Sequence, residues 1–414
     1  MNSQNDGATN GPALWTKDYL LVLFGNLFVF LGIIMLIPTF PAYIKQLGGN
    51  DVQAALPFAV VSLSALLVRP ISGYIADAFG CRLLLVMGMG IVIVFNAGFF
   101  AVSSIGLILV LRFLQGFGWG MTSTAFGAIV SDIVPAGRRI DGIGYYAVTI
   151  ILGSSAANIL GIELMTRFGF QAVLAASVFL VGCGLLMTQF MSLPPLKQHS
   201  ANVGAKSCFS WDSLAEKRAL LPALLCFLYS MTFGGIMSFL MLFGVERGIQ
   251  NIGVFFIGHV SMILVSRPFI GRLYEWRGQA QIILVGVALM MAGLLVLSFA
   301  ASSSQVLAAA LLYGLGYGAT HPSVQAWAID RSPADRLGAT NGTFLSSLDL
   351  GYSVGPVLLG LVAERSSYAF MFRSSLVFLV GFILIYGYHL LQEKRLAGKE
   401  IACDEEIAFA KVDE

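Results

Sequence analysis

The 414-residue chain is 57% hydrophobic and only 11% charged, with 24 basic and 22 acidic side chains and a formal net charge of +2. Soluble domains carry about 25% charged residues, so this composition excludes the water-soluble globular classes, and the near-neutral charge gives no reason for a nucleic-acid partner. Lipid is the solvent for most of such a chain.

Residues 1–16 are polar and lack both the basic start and the small-residue cleavage site of a secretory signal, so the first apolar run is read as a retained helix. A spanning helix needs about 20 mostly apolar residues. Twelve runs of that kind follow, at 19–44, 52–76, 83–102, 107–131, 142–162, 169–192, 219–245, 252–272, 280–300, 305–329, 339–362 and 367–391. The predicted fold is an all-α integral membrane protein with twelve transmembrane helices. A polar stretch at 194–218 divides it into a bundle at 1–193 and a second at 219–392, with a tail at 393–414. Within that stretch Ser213 and Glu216 have the spacing of a capping box, which predicts a short interfacial helix around Trp211 and Leu214.

Most of the 24 Lys and Arg residues fall on the side that both termini would share, whereas Lys45, Arg167, Arg247, Arg365 and Arg373 fall on the other and Arg112 lies inside a span. The positive-inside rule then places both termini in the cytoplasm of a multi-pass protein of the cell (inner or plasma) membrane. Cys81, Cys183, Cys208, Cys226 and Cys403 show no Cys-x-x-Cys spacing and are expected to be reduced.

The two halves repeat one pattern at a constant separation of 198 residues, as from Arg69 to Arg267. Pro70 and Gly73 recur as Pro268 and Gly271, and Asp77 and Gly80 as Glu275 and Gly278. Gly116, Gly118 and Gly120 become Gly314, Gly316 and Gly318; Asp132, Pro135 and Arg138 become Asp330, Pro333 and Arg336; Gly144 and Gly153 become Gly342 and Gly351. A duplicated six-helix unit enters the membrane twice from the same side. Such parallel repeats place a substrate site near the midplane, in a central cavity between two bundles that rock against each other.

The loop after the second run reads Gly73-Tyr-Ile-Ala-Asp77-Ala-Phe-Gly80-Cys-Arg82. It resembles the signature loop of the major facilitator superfamily, with Ala78 where a basic residue is usual and a single Arg82 displaced by one. In the fourth run, Arg112 followed by Gln115-Gly116 is similar to the Arg-x-x-x-Gly pattern of proton-coupled members. In the eleventh, Gly342, Gly351, Gly355-Pro356 and Gly360 resemble the antiporter signature that exporters carry on the fifth; there Gly144 and Gly153 keep the spacing, but Ala157-Asn158 replaces Gly-Pro. The chain is on these grounds identified as a member of the twelve-helix drug/proton antiporter type. The resemblance implies a gate at Gly73, Asp77, Gly80, Arg82, Gly271 and Glu275, with Asp77 docking on the start of the eleventh helix. It also implies a cavity lined by helices one, four, seven and ten.

The many glycines of runs four, five, ten and eleven let helices approach closely. Arg112 lies within an apolar run, where an arginine costs about 2.5–3.5 kcal/mol to insert. It either snorkels outward or faces the cavity and pairs with an acid. Asp349 is the lone carboxylate near the middle of a predicted run, and either makes a structural bond or carries a proton. Arg112 and Asp349 are therefore the expected proton-coupling pair. His259 and His321 do not form an His-x-x-x-His pair and give no metal site; Pro322 is expected to bend the tenth helix. Expected cavity residues are Asn26, Gln115, Trp119, Asn158, Tyr229, Phe233, His321 and Gln325, with Tyr317 and Trp327 as further aromatics.

No His-Glu-x-x-His, Gly-x-Ser-x-Gly or phosphate-binding loop is present in the sequence, so an enzyme or an ATP-driven pump has no motif behind it. The expected function is proton-coupled efflux of small amphipathic organic compounds by alternating access, in a monomer that uses the bilayer, the substrate and protons as partners and needs no cofactor. The alternatives are a proton symporter or facilitator importing a small organic nutrient, an exporter of a lipid or metal-chelating metabolite, and a receptor on the same scaffold.

Overall fold

The computed structural model describes residues 14–135, 138–192, 216–333 and 337–410, and among them the regular elements are helical. The first half comprises α1 (Lys17–Ile34), α2 (Leu36–Gln46), α3 (Asp51–Phe79), α4 (Cys81–Gly98), α5 (Ile105–Ile133), α6 (Arg139–Phe168) and α7 (Phe170–Gln189). The second half comprises α8 (Leu220–Arg247), α9 (Val254–Arg277), α10 (Gln279–Phe299), α11 (Ser303–Asp330), α12 (Leu337–Arg365), α13 (Tyr368–Ser374) and α14 (Leu376–Ala410). Met35 alone separates α1 from α2, and Ser375 alone separates α13 from α14, so each pair fills one expected span.

Local chemistry sets the helix ends. Asn50 and Gln53 form a reciprocal capping box at the start of α3, with N···O distances of 2.8 and 3.1 Å. Gly80 joins α3 to α4 at φ 93° and Gly278 joins α9 to α10 at φ 76°, a region that favours glycine, so the same turn is built twice. The capping box expected at Ser213 and the helix around Trp211 lie outside the described residues. Glu216 instead caps the short turn Lys217–Ala219, accepting from the Arg218 amide at 3.1 Å. α11 runs through Pro322 as one helix, and α14 continues to Ala410 through much of the segment expected as a tail.

Ten helical stretches among the described residues are long and apolar enough to cross a membrane. The other two expected spans lie on α9, whose apolar part is Val254–Arg267, and on α11. For α11 the reason is local: it carries Tyr313, Tyr317, Thr320, His321, Ser323 and Gln325, all buried or half-buried. Large apolar side chains such as Val94, Phe179, Phe269 and Leu384 stay exposed, as a lipid solvent permits.

The duplication is repeated in the packing. α4 lies against α5 where Gly88 meets the Gly118 carbonyl and Thr122; α10 lies against α11 where Gly286 meets the Gly316 carbonyl and Thr320. A Cβ placed on Gly116 would stand 2.6 Å from the Val61 carbonyl oxygen, and one on Gly314 would stand 2.5 Å from that of His259. Gly120 packs on Ala65 and Val68, and Gly318 on Ile263 and Ser266. Each of these contacts recurs at the separation seen in the sequence. The first helix of each half departs from it: Gly153 faces Leu27 and Phe30, whereas Gly351 faces Phe227 and Ser230, a register two residues longer.

The halves meet mainly through α3 on α12, α2 on α8 and α6 on α9. Gly360 packs on Asp51, Ser353 donates to the Ala59 carbonyl at 2.9 Å, and Asn158 meets Met237. These contacts cluster toward the end that carries the loops at 47–50, 248–253 and 366–367. Toward the end with Gly80 and Gly278, α5 has no extensive contact with α11 or α12 among the described residues.

Candidate functional site

Helical spacing places Tyr313, Tyr317 and His321 on one face of α11, four residues apart, and α8 sets Cys226, Tyr229 and Phe233 opposite. The two faces interlock with α9 and α12. The Tyr229 hydroxyl lies 2.7 Å from His321 Nδ1 and 3.1 Å from Cys226 Sγ. Thr232 Oγ1 is 2.7 Å from the Tyr313 hydroxyl, and the Tyr317 and Tyr352 hydroxyls are 3.3 Å apart. Phe233 stacks on His259 with centroids 4.9 Å apart, and Tyr317 stacks on His321 at 5.5 Å with ring planes 7° apart. From the first half, Phe58 stacks on Tyr352 at 5.7 Å. The second half thus presents a nearly continuous aromatic wall, hydrogen-bonded within itself.

One turn before Tyr352, Asp349 pairs across the halves with Arg69 of α3, N···O 3.0 Å. The pair is rim-like rather than sealed, with side chains 27% (Arg69) and 12% (Asp349) exposed. Arg69 therefore takes the place expected for Arg112. The reason is depth and direction: Arg112 projects from α5 into the core of the first half and is fully buried. There its Nε donates to the Pro57 carbonyl at 3.3 Å, its Nη1 donates to Gln115 Oε1 at 2.6 Å, and its guanidinium lies 4.4 Å from the Phe40 ring centroid. Gln115 in turn donates to Asn96, Asn96 to Ser177 at 2.8 Å, and Ser177 to the Gly32 carbonyl. This chain of bonds ties α1, α3, α4, α5 and α7 together. Among the described residues no carboxylate lies within ion-pair distance of Arg112.

Of the other expected cavity residues, Tyr229, Phe233 and His321 are brought together in the wall. Gln115 belongs to the Arg112 chain, and Trp119 packs edge-on against Phe30 at 4.8 Å. Asn158 donates to Met237 Sδ at 3.5 Å across the halves, and Gln325 donates to Asn341 at 3.3 Å. Asn26 is buried with neither amide atom bonded to a described residue. Trp327 is elsewhere, packed on Tyr386, His389 and Arg331. In the expected gate, Gly80 makes the helix turn, and Arg82 donates to the Gln189 carbonyl at 3.3 Å within its own half. Gly73, Asp77, Gly271 and Glu275 lie on α3 and α9, but their side-chain surroundings fall outside the described residues.

Sequence reasoning missed Arg69, Tyr313 and Tyr352. Arg69 carried a signal, a charge inside an apolar run, but was read only as a repeat marker; Tyr313 extends the Tyr317–His321 stripe by one turn. Tyr352 had no signal of its own, since its place depends on α3 reaching α12.

The family model described as Major Facilitator Superfamily matches residues 22–356 and again 263–402. The "Multi-drug resistance efflux pump PmrA homolog" of Lactococcus lactis is 25% identical over 365 residues, which cover 86% of this chain and 90% of that protein. "Multidrug resistance protein MdtG" of Salmonella arizonae is 25% identical over 410 residues, covering 93% and 98%. The crystal structure of the nucleoside transporter NupG has a TM-score of 0.71 at 13% identity, covering 90% of this chain and 99% of that one, a likeness of fold. With its helical fold, its repeated packing and a family match over most of its length, the chain belongs to the Major Facilitator Superfamily of membrane transporters.

Proposed function

We propose that this protein is a proton-coupled secondary transporter that exports small amphipathic organic compounds by alternating access, with twelve spans in two six-helix bundles and both termini in the cytoplasm. The observation that carries this reading is the Arg69–Asp349 pair, a titratable carboxylate and a fixed cation on opposite halves, beside an aromatic wall. Arginine keeps its charge, so Asp349 is the member that takes up and releases the proton. Ionised, it holds α12 to α3 through Arg69; protonated, it loses that attraction and the halves can part at this point. Proton uptake from outside and proton release to the cytoplasm give the direction of exchange that export requires. The wall of α8, α11 and α12 supplies apolar area with few charges, which suits amphipathic organic compounds, and the efflux relatives point the same way. Asn26, Gln115, Trp119 and Asn158 of the first half are proposed to shape the opposite side of the cavity. Arg82 and Asp77 are proposed to steady the cytoplasmic end.

The test is transport of ethidium by purified protein in liposomes with an imposed pH gradient, in right-side-out and inside-out orientations. Gradient-dependent ethidium movement against the proton flux supports export. Movement with the proton flux would assign a symporter, and ethidium binding without net flux would assign a receptor.

A further inference from the structure

His321 sits in α11 with one ring nitrogen committed and the other open. Nδ1 is 2.7 Å from the Tyr229 hydroxyl, and Cys226 Sγ is 3.1 Å from that same oxygen. A phenol is a far better donor than a thiol, and an imidazole nitrogen is a good acceptor. The consistent pattern runs from the Cys226 thiol to the Tyr229 oxygen, and from the Tyr229 hydroxyl to Nδ1. The ring proton of neutral His321 then resides on Nε2. That atom has no hydrogen-bond partner among the described residues, is not among the enclosed unpaired polar atoms, and belongs to a half-buried residue. The ring is held flat on Tyr317 at 5.5 Å and is flanked by Phe344 at 5.6 Å. Its neighbours therefore cover the faces and leave an edge with one N–H.

Most other polar atoms of the wall are engaged or enclosed: Tyr229 bonds His321, Tyr313 bonds Thr232, Tyr317 bonds Tyr352, and the unbonded His259 Nδ1 is buried away from any ligand. A ligand lying on these rings finds abundant π surface, the one hydroxyl proton left over by the Tyr317–Tyr352 pair, and the ring N–H of His321, whose direction is fixed by the Tyr229 bond. We propose that His321 is the specificity-determining hydrogen-bond donor of the aromatic wall, and that its ligands are planar aromatic compounds carrying a hydrogen-bond acceptor such as a ring carbonyl. This deepens the transporter reading and rests on it. Tyr229 is a positioning residue, since it acts by fixing the tautomer of His321.

Xanthone and xanthene share a tricyclic frame and differ in the ring carbonyl, so the pair isolates the hydrogen bond. Binding to the purified full-length protein in nanodiscs, read by quenching of intrinsic fluorescence, should favour xanthone by about three- to tenfold, the range of one net hydrogen bond. His321→Phe keeps a stacked ring without the donor and should bring the ratio to about one, with xanthene affinity little changed. His321→Gln returns an N–H and should restore part of the preference. Tyr229→Phe should lower the preference by about twofold, because both tautomers then populate. A wild type that shows no preference or binds neither probe, a preference that survives in His321→Phe, or a Gln variant that recovers none of it would each overturn the proposal. Ethidium flux by the unsubstituted protein tests the transporter reading separately.

Discussion

Neutralising Asp349 should leave a protein that exchanges substrate downhill but no longer accumulates it against a gradient. Asn keeps the size of Asp349 and removes the charge that Arg69 holds at 3.0 Å. Two unit charges at that distance attract by about 5 kcal/mol at an effective dielectric near 20. Desolvation takes back much of this, and stranding one member of a fully buried pair costs about 3–5 kcal/mol. Here Arg69 is 27% exposed on its side chain, so water reaches the stranded cation. A loss of about 2–3 kcal/mol is expected for Asp349→Asn or Arg69→Gln alone. Combining the two should cost less than their sum, with a coupling of about 1.5 kcal/mol, while Asp349→Asn with Arg112→Gln should be additive within about 0.5 kcal/mol. Denaturant-induced unfolding in detergent measures the cycles, and pH-gradient-driven ethidium transport in liposomes measures the function. Full gradient-driven accumulation by Asp349→Asn refutes the proton role. A coupling energy larger with Arg112 than with Arg69 refutes the pairing.

Arg112→Gln should lose about 2–4 kcal/mol of stability by thermal melting, because it removes the charged donor at the head of the chain through Gln115 and Asn96 to Ser177. Gly116→Ala and Gly314→Ala should each lower the melting temperature, at a cost of about 1–3 kcal/mol, since the new methyl meets a neighbouring helix backbone; Gly90→Ala, where the space is open, should be silent. Gly80→Ala forces a side chain to adopt φ 93° at the α3–α4 turn and should cost about 1–2 kcal/mol, read from the same melts. Cysteines introduced at Asp77, Lys197 and Lys399 should be labelled from the cytoplasmic side and those at Asn50, Glu246 and Ser303 from outside; labelling of positions 50 and 77 from one side would overturn the assignment of the second span.

Much of the architecture was legible because lipid imposes length and apolarity on each span, and because close helix contacts demand small residues at fixed places. Gly116 and Gly314 are visible in sequence and meet corresponding backbones in space. α11 is less apolar than a lipid-facing span for the reason that makes it informative: its polar groups pack against other helices. The site was less legible. Arg112 and Asp349 were both identifiable as charges in apolar runs, but nothing in one dimension reveals that α5 turns its arginine into its own half while α3 carries Arg69 to α12. A cross-half pair is a property of how two bundles dock, and no local spacing encodes it. The hydrogen bond from Tyr229 to His321 is of the same kind, linking residues 92 apart.

The repeat also separates what moves from what recognises. Positions that pack helix on helix coincide in the two halves: Gly88 with Gly286, Gly118 with Gly316, Gly120 with Gly318. Most positions that carry the aromatic wall and its carboxylate do not coincide. In the same register Arg112 answers to Ala310, Gln115 to Tyr313, Trp119 to Tyr317, Ser123 to His321, Ile151 to Asp349 and Ser154 to Tyr352. A rocking motion needs two bodies built alike, because close-packed glycine surfaces that hold in one half must hold in the other. Recognition needs the opposite, since a small asymmetric compound cannot satisfy two identical walls at once. The first half joins several of its buried polar groups in one internal chain of bonds from Arg112 to Gly32. The second half packs aromatic rings on one another and brings Tyr352 and one carboxylate to the interface. Arg69 is where the two designs touch: it recurs as Arg267, yet among the described residues only the first-half copy pairs with a carboxylate across the interface, and Asp349 itself answers to Ile151. On the proposed mechanism the duplicated packing supplies the hinge, and the unmatched Asp349 supplies the charge by which a proton would act on it.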